Sequence, residues 1–243
     1  MARFIRTAQR TFISAASKTL TDGTQSRIPS SASLLQFKTY ATCKAHISPF
    51  TANIIRILCN EIEYQHDYAP PHQPARSFNS FTVHDRPGEK WMTMRARHGD
   101  NEDIKIETTM FDGCALVPKP GEDSTGENVV LHISLLVDIS KGQGYPEMEF
   151  LCSAWPDHLE IQKVHLLNRD KIVINPYMGP DFRKMNGKLQ KTLRDYLEAR
   201  GVNNELCRFL HEYMMNKDRI ELIQWLGNVK SIMQGKEWNE VCL

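Results

Sequence analysis

Long apolar runs are missing from this 243-residue chain, so no segment can cross a bilayer as a helix with its backbone groups satisfied. Paired cysteines are missing too. Cys43, Cys59, Cys114, Cys152, Cys207 and Cys242 are scattered without a C-x-x-C pair. That excludes a dense disulfide scaffold and the closely spaced ligand quartet of structural zinc, and most of these thiols are expected to be buried as small apolar groups.

The signatures of common catalytic sites are equally scarce. There is no G-x-S-x-G elbow and no dinucleotide fingerprint. Asn186-Gly187-Lys188 imitates the end of a phosphate loop, but Leu189 replaces the required hydroxyl residue and Phe182 stands where the first glycine belongs. Nine histidines invite a metal reading, notably His158 and His165 near Cys152, or His84 beside Asp85. Residues seven apart on a strand face opposite sides, however, so His158 and His165 share no ligand position without a bulge. Glu147 and Glu149 point the same way from a strand, but like Glu102-Asp103 and Glu122-Asp123 they read as solvated carboxylates. The expectation is a protein with no catalytic residues, cofactor or metal.

Charge is present in both signs but unevenly placed. The overall +1 combines a segment 1–40 holding Arg3, Arg6, Arg10, Lys18, Arg27 and Lys38 against Asp22 alone, net +5, with a remainder at −4. The first segment is also rich in Ser, Thr and Ala. On a helix, Phe4, Ala8, Phe12 and Ala15 fall on one face and Arg3, Arg6 and Arg10 on another, the pattern of a mitochondrial presequence. A disordered basic arm and a chloroplast address are the alternatives. Small residues after Lys38-Thr39-Tyr40 place the mature start near Ala41, leaving 41–243 as a single domain.

Within that domain, Ser48-Pro49 reads as a cap and first helical position, and Ile54, Ile55, Leu58 and Ile62 predict a helix over about 49–66. It is stopped by Ala69-Pro70-Pro71-His72-Gln73-Pro74. From Phe78 to Leu167 the period falls to two, predicting antiparallel strands at 77–83, 90–97, 103–111, 129–139, 147–154 and 158–166. The acidic stretch from Pro118 to Asn128 is expected to be a mobile loop. Met185, Leu189, Leu193, Tyr196 and Leu197 then line a helix ending at Arg200-Gly201. Asn203 or Asn204 caps a last helix of nearly thirty residues, whose apolar stripe exceeds what one sheet covers.

That excess makes Ile54, Leu58, Ile62, Ile223, Trp225, Leu226 and Val229 the candidate subunit interface. Arg183, Lys184, Lys188, Lys191 and Arg194 form a basic stripe, a candidate face for RNA or another anionic partner. The plainer account of that stripe is a solvated helix face with ordinary ion pairs.

Several strings, taken in order, resemble the mitochondrial glycoprotein family over about Ser48 to Ile232. They are Asn53-Ile54-Ile55-Arg56 with Glu61-Ile62-Glu63-Tyr64, then Tyr177-Met178-Gly179-Pro180-Asp181-Phe182 and Leu189-Gln190, followed by Tyr196-Leu197-Glu198-Ala199-Arg200-Gly201-Val202, Phe209-Leu210, Tyr213 and Trp225-Leu226. Asp85-Arg86-Pro87-Gly88-Glu89-Lys90-Trp91 looks like the plant branch. The resemblance implies an α+β fold: a strongly twisted antiparallel sheet of about seven strands, flanked by one N-terminal and two C-terminal helices and assembled as a ring-shaped homotrimer in the mitochondrial matrix. It further implies a non-catalytic, chaperone-like adaptor for several partners, supporting oxidative phosphorylation and mitochondrial ribosome function. An RNA-associated factor is the alternative. Family members are often strongly acidic, so a body at −4 steers basic partners more weakly.

Overall fold

The computed structural model describes residues 47–118, 126–142, 144–168 and 177–235. The presequence assigned to 1–40, the cleavage region near Ala41 and residues 119–125 of the acidic loop lie outside them. The first helix, α1 (Pro49–Tyr68), begins as its sequence predicts. Ser48 Oγ accepts the Thr51 amide at 3.1 Å, and Pro49 occupies a position where an N–H would have no helical partner.

Eight strands follow: β1 (Ser77–Phe78), β2 (Phe81–Asp85), β3 (Trp91–His98), β4 (Glu102–Thr109), β5 (Gly113–Pro118), β6 (Glu127–Ser140), β7 (Glu147–Ala154) and β8 (Leu159–Leu167). All pairings are antiparallel, in the order β1-β2-β3-β4-β6-β7-β8 with β5 on β6. Pattern alone predicts six strands, and the two differences have local causes. The stretch 77–83 is broken at Asn79, whose φ of 49° is a left-handed value that asparagine tolerates better than most residues.

β5 is the second difference. β4 and β5 share one edge of the 14-residue β6 and are separated by a kink at Asp112. The Asp112 side chain accepts the Ser134 amide at 2.9 Å, while its own amide donates to His132 O. A glycine suits that position, because a Cβ on Gly113 would lie 2.1 Å from the His132 ring and displace it. β5 and the first half of β6 therefore form a two-stranded ribbon beyond the main sheet. A glycine at one end, Pro118 at the other and few buried side chains conceal it from a hydrophobic pattern.

After a 3-10 turn (Phe182–Lys184) come α2 (Gly187–Glu198) and the 30-residue α3 (Asn204–Met233). Gly201, at φ 79°, closes α2 in the predicted left-handed position: its amide reaches Glu198 O and that of Val202 reaches Leu197 O. Asn203 caps α3 by accepting the Glu205 and Leu206 amides at 3.1 Å. The core lies on one sheet face. Ile106, Val137 and Phe150 stand in register across β4, β6 and β7, and Leu197, Leu206, Leu210 and Met214 cover that face from α2 and α3. Each side chain fully removed from water contributes about 1.5–3 kcal/mol.

Candidate functional site

The buried residues of α3 that join this core end at Met214. Two residues later Asn216 anchors the proline-rich linker after α1, donating to His72 O at 2.8 Å and accepting the His72 amide at 3.0 Å. α1 precedes that anchor and packs on α3, so it runs back antiparallel along the second half of the long helix. Twenty residues of α1 extend about 30 Å, close to the reach of α3 beyond Asn216. The two form a helical arm.

This arm covers part of the predicted interface from within the chain. Leu226 is 6% exposed in the single chain, which corrects its assignment to a surface left for another subunit. Ile54, Leu58, Ile62, Ile223 and Val229 are half-buried, whereas Trp225 remains 60% exposed. A second stripe on α1 was not singled out from the sequence. Phe50, Ile57 and Tyr64 are spaced by seven and all face solvent, with Tyr68 stacked on Tyr64 at 5.5 Å. On α3, Met215 and Leu222 are exposed seven apart, as are Trp225 and Ile232. That heptad spacing was the available signal. The ribbon adds Leu116, Val129 and Leu131, exposed on the face that continues from Ile133 and Leu135 of the core.

A buried cation locks the arm's root to the sheet. Lys217 Nζ lies 2.8 Å from Asp85, 3.0 Å from Glu221 and 3.0 Å from Arg86 O, and Glu221 also accepts the Gly88 amide. At the opposite end of the sheet, Arg200 meets Glu102 at 2.6 Å while its guanidinium stacks 3.4 Å from the Tyr196 ring centroid. Burial alone would raise the Glu102 carboxyl, but the hydrogen bond and charge of Arg200, with Lys141, hold it below the usual range.

The predicted basic stripe is less uniform than it reads. Arg183 pairs with Glu160, which also accepts from Trp155 Nε1, and the pairing holds the Glu160 carboxyl low. Arg194 lies over the Phe182 ring at 5.5 Å and donates to Gln190 Oε1 at 3.3 Å. Lys184, Lys188 and Lys191 are exposed, as on a solvated helix face, and among the described residues they make no ion pair.

On the sheet face away from the core, Arg95, Lys105, Asp138, Glu149 and His165 stand in one transverse row across β3, β4, β6, β7 and β8. Lys105 reaches Asp138 at 3.8 Å and His165 reaches Glu149 at 3.3 Å, while His158 bonds Asp157 at 2.7 Å. His158 and His165 thus each have a carboxylate neighbour of their own. Of the four described cysteines, Cys152 and Cys207 are buried as expected, and burial pushes the Cys207 thiol up to about 12. Cys59 is half-buried. Cys114 is exposed on the ribbon, against the expectation of burial.

The chain is 32% identical to an uncharacterized mitochondrial protein of Arabidopsis thaliana over 164 residues, which cover 63% of this chain and 62% of that protein. It is 22% identical over 214 residues to the mitochondrial acidic protein mam33 of Schizosaccharomyces pombe, covering 75% of this chain and 78% of the relative. The crystal structure of Trypanosoma brucei p22 shares the fold with a TM-score of 0.61 at 21% identity, over 76% of this chain and all of that one. A Leishmania major protein described as a sequence homologue of human p32 matches with a TM-score of 0.57 at 17% identity, over 76% of this chain and 99% of the other. The profile of the mitochondrial glycoprotein family spans residues 58–233, from within α1 to the end of α3. With the profile taking in most of the chain and both the sheet and the helical arm in place, the chain belongs to the mitochondrial glycoprotein family.

Proposed function

We propose that this protein is a non-catalytic binding module of the mitochondrial matrix, assembled as a ring-shaped homotrimer through its helical arms. As a chaperone-like adaptor it serves several partners in oxidative phosphorylation and mitochondrial translation. The observation that carries this reading is the pair of solvent-facing heptad stripes on α1 and α3, with Phe50, Tyr68, Trp225 and Ile232 each at least 60% exposed. Apolar surface of that extent on a packed domain marks an interaction site. Covering it by sister subunits would contribute about 25 cal/mol per Å². The mitochondrial location is supported by the names of two relatives and by the basic segment 1–40.

Light scattering on the processed chain tests the assembly: three subunits are expected at micromolar concentration, and the double substitution Trp225→Asp, Ile232→Asp is expected to yield a folded single subunit. A stable monomer in the unsubstituted protein would overturn the reading. Capture from matrix extract at physiological salt tests the role, with ribosomal or respiratory-assembly proteins expected only from the assembled form.

The alternative, an RNA-associated factor, draws on Lys184, Lys188 and Lys191 of the basic stripe, which are exposed and make no ion pair among the described residues. Against it stand the pairing of Arg183 with Glu160 and the −4 balance outside residues 1–40. RNA crosslinking that survives in the isolated protein and disappears on Lys184→Glu, Lys188→Glu, Lys191→Glu would favour it.

A further inference from the structure

Every open sheet has edges, and the main sheet guards both of its own. At one end β1 is only two residues long. At the other, the 3-10 turn packs on β8, Lys163 is exposed, and the chain at Gly179 comes so near that a Cβ there would lie 3.1 Å from Val164 O. Short edge strands, covering segments and edge lysines keep foreign strands away.

The ribbon lacks these guards. β5 spans six residues and pairs only with β6, while residues 127–132 of β6 pair only with β5 among the described residues. Its outer edge on β5 therefore runs open for about 20 Å. No Lys or Arg occurs in 113–118 or 127–132, and the one proline, Pro118, stands at the tip. Register places Cys114 opposite Leu131 and Leu116 opposite Val129, so these four share a face. That face is wet: Leu116 and Val129 are each 60% exposed and Leu131 is 43% exposed.

We infer that the β5 edge captures extended apolar polypeptide segments with a basic flank, by strand addition. An open edge presents N–H and C=O groups in series, which an extended backbone pairs and a helix, already satisfied internally, does not. The wet face selects an apolar side chain at every second position of the added strand. Glu127, exposed at the tip, is the one carboxylate on the ribbon, so a lysine or arginine at the matching end is favoured. A nucleic acid finds no cation there. Ribbon against ribbon would be an isologous contact joining subunits in twos, whereas a ring of three closes through heterologous contacts. The inference rests on the protein being a binding module and names the class of segment it takes.

The test is fluorescence anisotropy of the full chain with a labelled Lys-Thr-Val-Thr-Val-Thr-Val peptide carrying Gly-Ser flanks, its backbone N-methylated counterpart and labelled oligouridylate. Saturable binding of the first peptide alone is expected, because the second keeps the side chains but loses the amide donors. Leu116→Lys, which places a charge on the exposed edge, is expected to weaken it about tenfold or more, and Glu127→Gln about two- to threefold. Leu166→Lys, on the guarded β8, is expected to leave it unchanged. Equal binding of the N-methylated peptide, unaltered affinity in the Leu116 variant, preferred binding of oligouridylate or no binding at all would each overturn the assignment. So would a fall in molar mass of the Leu116 variant by light scattering, since the edge would then belong to a sister subunit. Matrix proteins captured by a chain that binds no peptide would sink the ribbon and spare the adaptor reading.

Discussion

The two halves of α3 solve the burial of an apolar stripe in opposite ways. Up to Met214 the helix lies on the sheet, and Leu206, Cys207, Leu210 and Met214 are each 0% exposed. Beyond Asn216 its cover is a single helix, α1, in which no residue is fully buried, and Trp225 and Ile232 stay in water. A sheet presents a broad surface that closes around a helix, while a lone helix closes only one side of another. The first half therefore makes the fold, and the second half leaves large apolar side chains in water.

The largest effect is expected at the junction between the halves. Lys217→Met removes the buried cation shared by Asp85 and Glu221, leaving two partly exposed carboxylates without it. The expected loss is about 3–5 kcal/mol in chemical denaturation at pH 7. Within the sheet-backed half, Leu210→Ala is expected to lose about 2–5 kcal/mol, whereas Ile223→Ala in the arm loses less, because a half-buried site leaves a smaller cavity. Equal losses at the two sites would erase the distinction between halves.

Glu102→Gln probes the far end of the sheet, with an expected loss of about 1–2 kcal/mol at neutral pH. The sign follows from the lowered Glu102 carboxyl. A carboxylate held low in the folded state contributes stability that is present above its unfolded value and fades as pH falls through the folded one. The gap in melting temperature between the two proteins should therefore narrow on acidification below the ordinary glutamate range, and a pH-independent gap would count against the ion pair. The smallest folding effect belongs to Trp225→Ser, within about 0.5 kcal/mol for the single chain. Its molar mass should nevertheless fall toward that of one subunit.

Most of the secondary structure was readable before any coordinates. Ser48-Pro49, Arg200-Gly201 and the Asn203-Asn204 pair announce helix boundaries through local hydrogen bonding, Asn203 being the one that caps, and β7 matches its predicted span of 147–154. The strand missed, β5, is stabilised by pairing with β6 and not by burial, so no hydrophobic alternation betrays it. Leu226 was misplaced for a related reason. Its apolar character was plain, but whether α1 or another subunit covers it is a matter of long-range packing. The seven-residue spacing of Phe50, Ile57 and Tyr64 is present in the sequence but adjoins the stripe of Ile54, Leu58 and Ile62 on the same helix, so periodicity alone does not separate the two.

By itself, the sequence determined where helices start and stop, which strand faces are apolar and where Gly201 must stand, because these follow from interactions within a few residues. Only the tertiary structure decided that α1 folds back along α3, that Lys217 is enclosed by Asp85 and Glu221, and that Arg194 stands without a carboxylate partner among the described residues. Those outcomes depend on which distant surfaces meet, and a residue's chemistry states what it can pair with but not what arrives beside it.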